Sequence, residues 1–136
     1  MKRYLLLIDN DPAEIETFME AVKNMESSFI CCHVPDVKQA WVMLKEERPD
    51  LVFANDSLPG LNGFHLLSGI KNDRRLKRTR VFIYTDVISD EIDKMARLLG
   101  ASGCVEKKGD SNWLTHQLRA IVAMDLMPEY ALLKTS

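Results

Sequence analysis

Short apolar runs alternate along the chain with longer amphipathic stretches, and that alternation predicts repeated βα units. Five runs read as strands: Tyr4–Ile8, Ile30–Val34, Leu51–Ala54, Val81–Tyr84 and Gly103–Val105. Several are apolar at consecutive positions instead of every second one, as expected of strands covered on both faces. The stretches between them carry apolar residues at helical spacing. The predicted fold class is therefore α/β: a five-stranded parallel sheet with helices on both faces, a doubly wound (βα)5 sandwich.

Helix boundaries are written in capping residues. Asp11-Pro12-Ala13-Glu14 offers an N-cap carboxylate, a proline at the first helical position and a glutamate placed to close a capping box. Asp36 precedes a helix over Val37–Glu47, with Ala40, Trp41 and Leu44 on its inner face. Asn62-Gly63 reads as a turn in which the glycine supplies a positive φ, ahead of a helix from Phe64 to Asn72. Ser89-Asp90-Glu91 starts Ile92–Leu99, and Gly100 stops it. Asp110-Ser111 opens the last helix, where Leu114, Leu118, Ile121 and Val122 recur on one face. The domain is expected over 1–125, with a tail over 126–136 in which Pro128 breaks the last helix.

Composition narrows the function classes. At 136 residues the chain can bury a core without metal or disulfide staples. Its net charge of −2 gives no overall basic field to hold nucleic acid, and no apolar run approaches a membrane span or a signal peptide. The run Lys71–Arg80 holds six basic residues and one acid but no interleaved aromatics, so it reads as a solvated loop face. Cys31 and Cys32 are adjacent in a strand and point to opposite faces, which suits neither a metal pair nor a disulfide. With Cys104 they read as buried thiols of a reducing cytoplasm. His33, His65 and His116 have no metal-ligand spacing.

In a doubly wound sheet, functional groups gather at the carboxyl ends of the strands, near the switch in strand order. Those ends carry Asp9-Asn10-Asp11, Asn55-Asp56, Thr85-Asp86 and Lys107. The acidic cluster after the first strand, the Pro49–Gly63 strand and Pro-Gly loop, Thr85, Gly100-Ala101 and Lys107 occur in an order and spacing that resemble the receiver domains of two-component response regulators. About 120 of the 136 residues take part. The resemblance implies a flavodoxin-like, CheY-like fold. It implies a pocket in which Asp9, the residue at position 10 and the backbone carbonyl of Ser57 hold Mg²⁺. The residue at 55 would accept a phosphoryl group, with Thr85 and Lys107 gripping it. Position 104 would carry a switch aromatic.

Three of these positions depart from the family pattern. Asn55 stands at the phosphoacceptor position, and an amide does not attack phosphorus as a carboxylate does. Asn10 replaces the second acid, and Cys104 the aromatic. With carboxylates at 10 and 55, the group Asp9, 10, 55 and Lys107 would carry two net negative charges and require a dication. As it stands the group sums to zero. Two unit charges about 4 Å apart interact by roughly 4 kcal/mol at an effective dielectric near 20, so losing two carboxylates should cost Mg²⁺ most of its affinity. The expectation is a metal-poor pocket with Asp9 and Lys107 paired, and no cofactor beyond weak Mg²⁺.

The sequence thus reads as a stand-alone, non-enzymatic, phosphorylation-independent receiver in the cytoplasm. It would work through contacts with a sensor histidine kinase, a phosphotransfer protein or another regulator. The resemblance places those contacts on the first helix or on the face of the fourth helix, fifth strand and fifth helix. The same face is where a homodimer would form. Two rivals stand. One is a phosphorylatable receiver using Asp56 or a deamidated Asn55; one step along a strand reverses the side chain, which disfavours Asp56. The other is a nucleotide- or small-molecule-binding flavodoxin-like module, against which the acidic Asp9-Asn10-Asp11-Pro12 argues.

Overall fold

The computed structural model describes residues 3–26, 28–58 and 62–126. The expected Pro59-Gly60 loop, and the tail from Met127 with Pro128, lie outside the described residues. Strands β1 (Arg3–Ile8), β2 (Phe29–Val34), β3 (Leu51–Asn55), β4 (Arg80–Thr85) and β5 (Gly103–Glu106) alternate with helices α1 (Pro12–Asn24), α2 (Val37–Glu46), α3 (Gly63–Lys71), α4 (Asp90–Leu98) and α5 (Ser111–Leu126). All strand pairs are parallel, in the order β2-β1-β3-β4-β5. The order reverses between β1 and β3, so the ends of those two strands flank the switch point.

The pleat sorts the core into two. Leu6, Ile8, Val52, Ala54, Val81 and Ile83 face α2, α3 and α4. Leu5, Leu7, Leu51, Phe53, Phe82 and Tyr84 face α1 and α5, whose Phe18, Leu114 and Leu118 are buried against them. Phe18 meets the Phe53 and Tyr84 rings edge-on at 5.1 and 5.6 Å. Among the described residues no helix is long and apolar enough to cross a membrane.

Capping residues act as the sequence predicts at α2, α4 and α5. Asp36 accepts the Gln39 N–H at 2.8 Å, Ser89 the Ile92 N–H at 3.1 Å, and Asp110 the Asn112 N–H at 2.9 Å. Gly100 takes φ +94° past the end of α4. Four expectations need correction. Glu14 closes no capping box: the Asp11 N–H is taken at 3.0 Å by the Asp9 carboxylate, and Glu14 turns inward to the Tyr84 hydroxyl, 3.4 Å away. Cys31 and Cys32 do pack on opposite faces, but half-buried, because β2 is an edge strand. Burial still pushes the Cys31 thiol up to about 12, with Cys32 adding to the shift. The basic run is not all loop, since Arg74–Leu76 forms a 3-10 turn capped by Asp73.

The fourth correction concerns Gly63. Asn62 is the N-cap of α3, accepting the Phe64 and His65 N–H groups at 3.1 Å each, and Gly63 is already helical with no positive φ. Glycine is needed there for space, because a Cβ would collide with the backbone carbonyl of Asn55. That carbonyl cannot rotate away as a side chain could. Gly63→Ala is expected to lower stability by about 1–3 kcal/mol in a denaturant titration. A neutral result would mean that α3 can slide away from β3.

Candidate functional site

Side-chain parity decides which residues share the site. Asp9, Asn55 and Lys107 lie at or just past the ends of β1, β3 and β5, in phase with Leu7, Phe53 and Val105 of the α1–α5 face. Two backbone bonds fix the outer members: Asp9 N–H donates to Val34 at 3.1 Å, and Lys107 N–H to Thr85 at 2.7 Å. The Lys107 side chain then crosses the Tyr84 ring, 5.2 Å from its centroid, to reach Asp9. Its Nζ is 2.8 Å from Asp9 Oδ2, with the two side chains 5% and 0% exposed. This is a buried ion pair.

Asn55 completes the unit. Its Oδ1 accepts the Ser57 N–H at 3.1 Å, which leaves Nδ2 to face Asp9 Oδ1 at 3.4 Å. The reverse amide orientation would set an oxygen against a carboxylate and an NH₂ against an N–H, so the two neighbours select one rotamer. Asp9 Oδ1 also takes the Asp11 N–H. Oδ2 has only the ammonium; it receives no hydrogen bond from any other described residue. A run of donors and acceptors thus links Lys107, Asp9, Asn55 and Ser57.

Of these residues only Asp9 carries a negative charge, and Lys107 already balances it; the Asn55 oxygen is neutral and faces the Ser57 N–H. Asn10, neutral and exposed, adds no charge. Among the described residues no three His, Cys, Asp or Glu side chains are grouped so as to hold a metal.

The remaining expected site residues fall on the other side of the pleat. Thr85 is buried in phase with Val81 and Ile83, and its hydroxyl donates to the Val87 carbonyl at a long 3.4 Å. Cys104 packs with the α4 side of the core. Burial pushes its thiol up, followed by the charge of Asp93, with Arg97 opposing and Asp56 adding to the rise. Asp56 therefore sits in the neighbourhood of Cys104. The backbone of Ser57 is tied to Asn55, and its side chain is exposed. Lys107 and Lys108 have opposite fates: Lys108 is half-exposed and pairs with Glu106 at 2.8 Å.

Two participants escape a reading of the strand ends. Tyr84 lies one residue before the expected Thr85. Burial raises its phenol first, and the Glu14 and Asp9 charges add to that. Glu14, from α1, is raised chiefly by burial, with Lys107 opposing and Asp9 and Asp11 reinforcing. Folding therefore favours the protonated Glu14, and ionising it as pH climbs past 4.5 works against stability. The available signal was the inward periodicity of α1, but a glutamate in a first helical turn reads as a cap.

Residues 5–119 match the family model described as response regulator receiver domain. The structure is similar to the phosphorylated cyanobacterial phytochrome response regulator RcpA, with TM-score 0.82 and 23% identity, covering 94% of this chain and 96% of that one. It is also similar to the chemotaxis response regulator CheY4 of Vibrio cholerae, with TM-score 0.79 and 16% identity over 89% and 99%. Those two likenesses establish the fold. In sequence, 88 residues are 27% identical to the DNA-binding response regulator MtrA of Mycolicibacterium smegmatis, covering 65% of this chain but only 38% of that protein. A family match across more than four-fifths of the chain, on a sheet ordered β2-β1-β3-β4-β5, places it among the response regulator receiver domains of two-component signalling.

Proposed function

We propose that this receiver works without phosphorylation, as a non-enzymatic module that signals by binding other proteins. The observation that carries the reading is the Asn55 amide, held between Asp9 and the Ser57 N–H beside the Asp9–Lys107 pair. The side chains of Asp9, Asn55 and Lys107, which would orient a metal or a phosphoryl donor, are each engaged by a neighbour. The position of attack offers an amide with no nucleophilic oxygen. Catalysis by positioned charge needs groups free to meet the charge that develops, and these are not free. Mg²⁺ binds weakly at most, and the protein resides in the cytoplasm.

Receiver domains interact with histidine kinases and phosphotransfer proteins, and such a protein, or another regulator, is the partner class for this chain. Exposed apolar side chains support contact on the α4 side: Leu98 is 83% exposed, Val87 66% and Met95 47%. That surface also serves any homodimer. The expected result is no covalent adduct, by intact-protein mass, when the native chain is incubated with a small phosphodonor and Mg²⁺. One phosphoryl group on the native chain would overturn the proposal and direct attention to Asp56.

A further inference from the structure

We propose that a basic groove at the amino-terminal end of the sheet, a strand's length from the Asp9–Lys107 pair, binds small ligands bearing two or more phosphate groups. The groove has a volume of about 380 Å³; Arg48, Arg74, Arg75, Lys77 and Arg78 line it, together with the acid Asp50. Its cations come from separate segments: Arg48 from the α2–β3 connection, Arg74 and Arg75 from the 3-10 turn, Lys77 and Arg78 from the loop into β4. They surround a concavity instead of following one helix face.

The walls are fixed to each other. The buried Thr79 hydroxyl donates to the Pro49 carbonyl at 2.7 Å, and the Arg80 N–H to Asp50 at 3.1 Å. Asp73 holds the turn through the Arg75 N–H at 2.9 Å. The acidic groups nearby are already engaged. Asp50 accepts the Tyr4 N–H at 2.8 Å, and Asp73 faces the Arg75 guanidinium at 3.8 Å. The five lining cations are thus only partly offset by Asp50 and Asp73, and an anion entering the space relieves their remaining repulsion. Guanidinium forks favour phosphate, which they grip with paired hydrogen bonds.

Charge distribution selects the ligand's size. Six of the chain's 18 basic side chains but one of its 20 acids lie between Lys71 and Arg80, leaving 12 against 19 over the rest. An extended polyanion leaving the groove would meet a net acidic surface, and among the described residues no aromatic lines the groove for bases to stack on. A compact ligand escapes both penalties, and the volume lies within the range of small-molecule sites.

The test is calorimetric titration of the native protein with sodium tripolyphosphate and, in parallel, ADP, both without Mg²⁺ and at moderate salt. Saturable binding is expected, together with a rise in melting temperature. An Arg74→Glu/Arg78→Glu variant should bind at least about tenfold more weakly. Arg48→Glu, from a separate segment of the lining, should weaken binding in the same direction. A Lys38→Glu/Lys94→Glu variant, with the same change of net charge on other surfaces, should bind as the native protein does. Tighter binding of ADP would mark a nucleotide site, and tighter binding of tripolyphosphate a site for the phosphate chain itself; both support the proposal. Absence of saturable binding, equal loss in the Lys38/Lys94 variant, or a DNA duplex binding more tightly than either probe would overturn it.

Discussion

Replacing Lys107 with methionine is expected to remove about 3–5 kcal/mol of folding stability, the usual result of stranding one member of a buried ion pair. Methionine keeps the apolar stem that crosses Tyr84 and deletes the ammonium. Asp9 would remain fully buried, with both surviving hydrogen bonds on Oδ1 and nothing on Oδ2. The control is the double variant Asp9→Asn/Lys107→Met. An amide at position 9 has no charge to strand, so the second substitution should restore most of what the first removed. Urea unfolding of both variants decides the matter. A loss below about 1 kcal/mol in the single variant would show that water reaches Asp9 and that the pair is not closed to solvent.

The second large effect is expected from Asn55→Asp. One NH₂ becomes an oxygen, and the contact of 3.4 Å with Asp9 Oδ1 turns from a hydrogen bond into a meeting of two carboxylates. At that distance repulsion amounts to roughly 5 kcal/mol at an effective dielectric near 20, and Lys107 offsets part of it. A net loss of about 1–3 kcal/mol without divalent cation is expected, largely recovered in millimolar Mg²⁺ through binding to the folded state. The same variant should gain one phosphoryl group from a small phosphodonor, since the nucleophile and the Lys107 ammonium are then both in place. Equal stability of native and variant protein, with and without Mg²⁺, would refute the account of why an amide occupies this position.

Most of the fold was legible because several independent signals agree. Consecutive apolar runs locate every strand to within a residue at each end, and Asp36, Ser89, Gly100 and Asp110 mark helix ends through local hydrogen bonds that sequence spacing alone determines. Residues whose surroundings come from distant segments were harder to read. Gly63 and Glu14 both have ordinary local explanations, a turn and a cap. Their actual roles depend on β3 and β4 passing beside them. The same holds for Lys77 and Arg78, which look like solvated charges until Arg48 is found lining the same groove. Strand parity is a further signal that the sequence itself carries. It separates Asp9, Asn55 and Lys107 from Thr85 and Cys104, and so divides the strand-end residues into two groups.

The reach of the Lys107 side chain also bears on the order of folding. Its partner follows the first strand, while Lys107 follows the last, so their contact closes a loop of nearly the whole domain, and such contacts carry the largest closure entropy. The pair is expected to dock after β5 has joined the sheet, late on the path. Removing it should therefore speed unfolding while leaving the refolding rate nearly unchanged, the kinetic signature of a latch that shuts last.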